Sequence, residues 1–394
     1  MPRVNPAILR WAREAAGLDE AEAARKVGIN AAYGLEPAER LRVIEAGDGE
    51  PSRSLLGKMA AAYRRPLLSF YLGERPAAGE RVEDFRALPE RRPETEPLVQ
   101  TLVRDVRARQ TLVREILEDE EAAPITFINS RTRAEGVAAA VAALTNDLGF
   151  RLDRFRVAPT VDAAFAYLRE RAEAAGIFVL LIGDLGSHHT ELDTEAFRGF
   201  ALSDPVAPFV VINDRDARSA WAFTLLHELT HLWLGVSGVS GARAETAIER
   251  FCNDVASRIL LPTGEAEALV LPPWDDLGDL ADAVSALARP RRLSRSLLAL
   301  RLFQMGRLTE EQWEDLRGKF RDEWRAERAR RRADRMPDAG GPNAYVVRRH
   351  HLGAALVSLV TRAVDEGAMT PSKAGKVLGV RPRSVDALLR GKAA

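Results

Sequence analysis

The stretch from Trp221 to Gly235, WAFTLLHELTHLWLG, constrains this chain more than any other. Its length and apolar spacing predict one amphipathic helix, which carries His227 and His231 four residues apart. Residues i and i+4 lie on one face of a helix, so both imidazoles can bind the same metal ion. Glu228 projects beside them and can reach a metal-bound water without binding the metal itself. The pattern therefore predicts a catalytic metal site.

A second predicted helix, AIERFCNDVASRILLP over residues 247–262, offers further donors. A catalytic zinc ion needs three protein ligands and one open position, and Glu249, eighteen residues after His231, is the candidate third ligand. Asn253 follows one turn later on the same face, where its amide oxygen can orient a ligand histidine. The alternative is two ordinary helix histidines and a surface carboxylate, which we disfavour because the chain has only six histidines. The predicted cofactor is Zn²⁺, with Mn²⁺ as the alternative, since a His/His/Glu set accepts either ion.

Composition restricts the class of protein. With 46% hydrophobic and 29% charged residues, the 394-residue chain is expected to fold into two or three globular domains. Its net charge is zero, which gives no overall argument for nucleic acid or membrane. No apolar run reaches spanning length, and the first residues lack the apolar core of a signal peptide. A single cysteine, Cys252, allows no intramolecular disulfide, so we expect a cytoplasmic protein.

The order of apolar runs and helix signals predicts a mostly helical α+β fold with a small sheet. We predict a helix-turn-helix bundle over residues 1–80, a linker and long helix over 81–123, a metal-binding core over 124–320 and a helical C-terminal region over 321–394. Runs of strand length are PITFINS (124–130), IFVLLIG (177–183), RGFALSD (198–204) and PFVVIND (208–214). PFVVIND is either an edge strand that takes an extended peptide or a plain core strand.

The N-terminal helices leave two functions open. Their short lengths and glycine stops are typical of a helix-turn-helix bundle, which could read DNA through a helix in the major groove. However, the stretch LEPAERLRVIEAGDGE carries five acidic residues against two arginines, and phosphate contact needs positive charge. Docking onto a protein is the alternative function of such a bundle, because a fold does not fix a function.

HELTHLWLG followed by IERFCNDVASRILLP resembles the ImmA/IrrE family of metallopeptidases, whose fold is a minimal zincin-like α/β core. The resemblance extends from VVINDRDARSAWAFTLLHE to about RLFQMGRLTEEQW, roughly half the chain. It implies that His227, His231 and Glu249 are zinc ligands and that Glu228 is the catalytic residue. It also implies a restricted protein substrate, such as a transcriptional repressor or antitoxin-like partner, cleaved under stress.

The N-terminal helices are similar to the Xre-type helix-turn-helix domain often fused ahead of such peptidases, which implies DNA as a second candidate partner. The rival hypothesis is a DNA-binding regulator or antitoxin in which the core is a sensing or structural platform. It predicts salt-dependent binding to its own promoter and a function that survives the loss of Glu228.

Three other features carry weaker predictions. The adjacent pairs His188/His189 and His350/His351 point apart on any regular element, so we predict no second metal site, although the first pair could lie in a loop near the active site. Cys252 is predicted to be an apolar core residue, with oxidation-linked zinc release as the alternative. The arginine-rich segment 321–335 is interpreted as a solvated helix with i,i+4 charge pairs rather than a nucleic-acid site.

Overall fold

The computed structural model describes residues 3–75, 96–186, 190–194, 197–236, 238–240, 247–333 and 343–391. The chain divides into two compact units, residues 1–83 with 89–105 and residues 84–88 with 106–394. Helices dominate and a small mixed sheet lies in the second unit, so the predicted α+β, mostly helical class is confirmed. The four-part domain division stays a prediction.

The first unit is a bundle of short helices. Asn5 accepts a hydrogen bond from the N–H of Ala7 and begins the first helix, and Gly28 and Gly47 adopt the left-handed conformation that ends the second and third. The helices are α1 (Pro6–Ala15), α2 (Glu20–Val27), α3 (Pro37–Ala46) and α4 (Arg53–Ala62), followed by a 3-10 turn at Leu67–Tyr71.

A buried ion pair joins α1 to α3. The guanidinium of Arg13 donates to both carboxylate oxygens of Glu45 at 2.8 and 2.9 Å, and both residues are buried. The exposed side of α3 offers little unpaired positive charge, because Arg40 donates to the carbonyl of Asn30 and Arg42 pairs with Glu20. The DNA-binding and protein-docking roles of this unit both stay predictions.

The second unit contains the sheet and most of the helices. The strands are β1 (Phe178–Leu181), β2 (Gly199–Leu202), β3 (Phe209–Ile212) and β4 (Gly238–Ser240). The helices are α5 (Glu96–Asp119, which begins in the first unit), α6 (Val137–Asp147), α7 (Leu152–Val157), α8 (Val161–Ala174), α9 (Trp221–Trp233), α10 (Ala247–Leu260), α11 (Thr263–Glu267), α12 (Leu277–Ala288), α13 (Arg295–Gln304), α14 (Glu310–Ala333), α15 (Ala344–Leu352), α16 (Ala354–Asp365), α17 (Pro371–Leu378) and α18 (Val385–Arg390).

The strands lie in the order β1-β3-β2-β4, with β1 and β3 parallel and the other pairs antiparallel. Every residue of β1, β2 and β3 is buried, which explains why these strands appear as continuous apolar runs rather than alternating ones. The interpretation of PFVVIND as an edge strand is wrong, because β3 has a partner on each side. The end strand beside β2 is β4, which forms within a glycine- and serine-rich stretch that is absent from the runs of strand length identified in the sequence.

The predicted strand PITFINS is also wrong, since residues 126–129 form turns. This segment gives its backbone donors to the end of α9: the N–H of Asn129 bonds the carbonyl of Leu232, and that of Arg131 bonds the carbonyl of Trp233. The ring of Phe127 stacks on Trp233 with 4.2 Å between centroids. The segment therefore caps and packs against the C-terminal end of α9 instead of joining the sheet.

The C-terminal helices are tied to the core through a buried ion pair on α8. Arg169 bonds Glu173 and also donates to the carbonyls of Val179 and of the last turn of α15. Glu173 accepts from the first two N–H groups of α16. Gly353 makes the turn between the two helices with φ of 84°, and a Cβ there would lie 2.2 Å from the Glu173 carboxylate.

Helix α14 carries charge pairs before and at the start of the arginine-rich segment 321–335, such as Arg317 with Glu314 and Lys319 with Glu323, and Arg328 within the segment pairs with Glu191. The interpretation of segment 321–335 as a solvated helix with i,i+4 charge pairs stays a prediction. None of the helices among the described residues is long and apolar enough to cross a membrane.

Candidate metal centre

The site is built on α9, which is buried along almost its entire length. Aromatic contacts hold both ends of this helix: Trp221 packs edge-on against Phe165 at 5.3 Å, and Trp233 stacks on Phe127. The indole N–H of Trp233 also donates to Asp147. These contacts fix the helix against its neighbours, so the side chains in its middle have little freedom to move.

Donor atoms of three residues on α9 and α10 lie close together. The Nε2 atoms of His227 and His231 lie 3.1 Å apart. Oε2 of Glu249 lies 3.1 Å from Nε2 of His227, and Oε1 of Glu249 lies 3.2 Å from Nε2 of His231. Both histidines are buried, and the Glu249 side chain remains 16% exposed. The structure thus brings together the three residues that the sequence analysis identifies as ligands.

Asn253 orients one of the imidazoles. Its Oδ1 lies 2.9 Å from Nδ1 of His227. An amide oxygen can only accept a hydrogen bond, so Nδ1 of His227 donates to it, which leaves Nε2, on the side of Glu249, as the ring nitrogen that can bind a metal ion. This is the contact expected of a residue that sets the tautomer of a metal-binding histidine.

The electrostatics of Glu249 favour its charged form. Burial raises the pKa of this carboxyl, but hydrogen bonds and charge interactions with His227 and His231 together outweigh burial, so its pKa lies well below the usual range. A carboxylate held ionised beside two imidazole nitrogens is a ready cation ligand.

Glu228 is fully buried on the neighbouring face of α9, against strand β2. The residue opposite it is Gly199, where an added Cβ would lie 2.8 Å from Oε1 of Glu228 and 2.7 Å from the methyl of Thr224. A glycine at this position therefore makes room for the glutamate. Gly199 is not among the site residues predicted from the sequence, although a glycine inside a predicted strand is a known signal of close approach by another group.

The distances between the donor atoms of His227, His231 and Glu249 fit a bound metal ion. Ligand atoms of a tetrahedral zinc ion with bonds of about 2.0–2.1 Å lie roughly 3.3 Å apart, close to the three separations observed here. Nδ1 of His231 is buried without a hydrogen-bond partner among the described residues, so this ring is positioned by packing and by its Nε2 contacts. Nε2 of His227 and the carboxylate oxygen of Glu249 lie so close together that a proton or a cation must lie between the two atoms.

Cys252 lies beside the same two imidazoles. Donor atoms of His227, His231 and Cys252 lie within 4.8 Å of one another, and all three residues are buried. Of the other histidines, His188 and His189 lie outside the described residues. His350 and His351 lie on α15, where His351 pairs with Asp214 at 3.4 Å rather than with these donors.

One comparison with known proteins bears on this site. Residues 172–303, about a third of the chain, match the family model described as the IrrE N-terminal-like domain, a peptidase family. Neither a curated protein nor a solved structure matches the chain. The matched segment contains α9, α10 and all four strands of the sheet. This match supports the ImmA/IrrE family and a metallopeptidase function for that segment of the chain.

Proposed function

We propose that this chain is a zinc-dependent metallo-endopeptidase that cleaves one specific regulatory protein, such as a transcriptional repressor or an antitoxin-like partner. The observation that carries the proposal is the convergence of His227, His231 and Glu249 within 3.1–3.2 Å, with Glu228 buried beside them. The restricted substrate follows from the resemblance to the ImmA/IrrE family, in which characterised members cleave a partner repressor.

The proposed roles divide between the two helices. His227, His231 and Glu249 would hold the zinc ion, and Asn253 would keep the first imidazole in the required tautomer. When bound, zinc supplies a polarised carbonyl and a water of pKa near 7. Glu228 would take the proton from that water and pass it to the leaving amine, and its burial beside Gly199 restrains it for this task.

The end strand β4 supports a way of presenting the substrate. β4 pairs with β2, and Gly199 of β2 contacts both Ser240 in the register and the Glu228 side chain. An extended peptide that adds to β4 would continue the sheet beyond β4, which itself pairs with the strand that lies against the proposed general base. Backbone hydrogen bonds would then hold the substrate, and side-chain contacts would select it.

The test compares wild type with His231→Ala and Glu228→Gln, using elemental mass spectrometry and N-terminal labelling of a cell lysate treated with each protein. Wild type and Glu228→Gln are expected to carry about one zinc per chain, and His231→Ala far less. New N-termini should appear only with the wild type. Arg250→Ala, an exposed change next to Glu249, is the matched control and should behave as wild type. Cleavage that persists in Glu228→Gln would contradict the proposal.

A further inference from the structure

Cys252 lies on the face of α10 that carries the metal donors. It follows Glu249 by three residues and precedes Asn253, and positions i, i+3 and i+4 of a helix are neighbours on its surface. Its side chain is fully buried, and the helix that it faces is α9 with its two histidines. No role has so far been given to this sulfur.

The distances place the sulfur at the edge of the coordination shell. Its Sγ and a ring nitrogen from each of His227 and His231 lie within 4.8 Å of one another. In a tetrahedral zinc site with bonds of about 2.05 Å to nitrogen and 2.3 Å to sulfur, the two kinds of ligand lie about 3.6 Å apart. The 4.8 Å limit exceeds that separation by about 1.2 Å, so the sulfur would have to move toward the imidazoles to share an ion with them.

We propose that the sulfur of Cys252 is a fourth protein donor of this site and that it selects zinc or cobalt over manganese. The inference rests on the metal centre of the proposed function, but not on the peptidase activity. Two imidazoles and a carboxylate accept manganese and zinc alike, whereas a sulfur donor favours the softer ion. Zinc accepts four or five donors, so a bound sulfur leaves space for one solvent molecule.

The chain offers an unusually clear spectroscopic test, because Cys252 is its only cysteine. In protein loaded with Co²⁺, an intense sulfur-to-cobalt charge-transfer band in the near ultraviolet would have to come from this residue. We expect that band in wild type and its loss in Cys252→Ser, while the visible bands of bound cobalt remain. The preference for zinc over manganese, measured by competition, should fall by about tenfold or more in the variant.

Two further proteins make the result decisive. Cys252→Ala gives a second way to remove the sulfur should the serine variant fold poorly. Ser257→Ala changes another fully buried small side chain of α10, so it should keep both the band and the selectivity. Visible cobalt bands in wild type without the near-ultraviolet band would overturn the inference and leave the metal centre standing. No cobalt bound to wild type, as in His231→Ala, would overturn the metal centre and the proposed function as well.

Discussion

Replacing Asn253 by alanine should weaken metal binding without unfolding the protein. The side chain makes one contact of consequence, the 2.9 Å hydrogen bond to Nδ1 of His227, and that imidazole is buried. Removing it leaves a buried N–H donor without a partner, which costs about 1–3 kcal/mol. Loss of such a contact to a metal-binding histidine typically lowers metal affinity about 10- to 100-fold, which corresponds to about 1.4–2.7 kcal/mol. The first figure is a loss of folding stability and the second is a loss of metal affinity.

The assay is competition for zinc between the metal-free protein and a coloured chelator at fixed pH. Asn253→Asp keeps an oxygen acceptor at the same place, so its affinity should stay within about threefold of wild type or rise, since charge strengthens the hydrogen bond. Arg250→Ala serves as the exposed control on the same helix. The reasoning is refuted if Asn253→Ala binds zinc as tightly as Arg250→Ala, or if Asn253→Asp is as weak as Asn253→Ala.

Three further outcomes are expected. Gly199→Ala places a methyl against Glu228, so it should lower the free energy of unfolding by about 1–3 kcal/mol in urea titrations and abolish cleavage. Gly57→Ala adds its methyl in open space and should be neutral or stabilising. Equal effects of the two changes would contradict the role of the close approach between Gly199 and Glu228. Arg169→Met removes one partner of a buried ion pair and should lower the free energy of unfolding by about 3–5 kcal/mol in the same titration. The control Arg171→Met removes a more exposed charge and should lower it by less than about 1 kcal/mol. Similar losses in the two variants would contradict a stabilising role of the ion pair. Chelation should lower the melting temperature and added zinc restore it, since zinc at a thousand times its dissociation constant stabilises by about 4 kcal/mol; an unchanged melting temperature would speak against a bound metal.

The sequence predicted the elements of the site better than the sheet that supports it. The two histidines and the glutamate fall on helices whose apolar spacing fixes which side chains share a face, so their meeting could be anticipated from spacing. The order of the strands could not be predicted from the sequence, because a fully buried apolar run such as PFVVIND has the same composition at the centre of a sheet and at its edge.

Three other differences between the sequence predictions and the structure have separate physical causes. PITFINS has strand-like composition, but its backbone donors bond the end of α9, and Asn129 adopts a left-handed conformation that no strand uses. β4 forms in a stretch of glycine and serine because pairing with β2 needs only backbone groups. The partnership of Gly199 with Glu228 depends on a crossing of helix and strand far apart in the chain.

The proposed metal donors are divided between α9 and α10, and this division has a consequence for folding. His231 and Glu249 are eighteen residues apart, so an ion held by both closes a loop of that length. Treated like a covalent cross-link, such a loop removes about 3 kcal/mol of chain entropy from the unfolded state. The ion would then act as a reversible cross-link between α9 and α10. Binding of the ion would both prepare the protein for hydrolysis and stabilise the contact between these helices, so loss of the ion would lower activity and stability together.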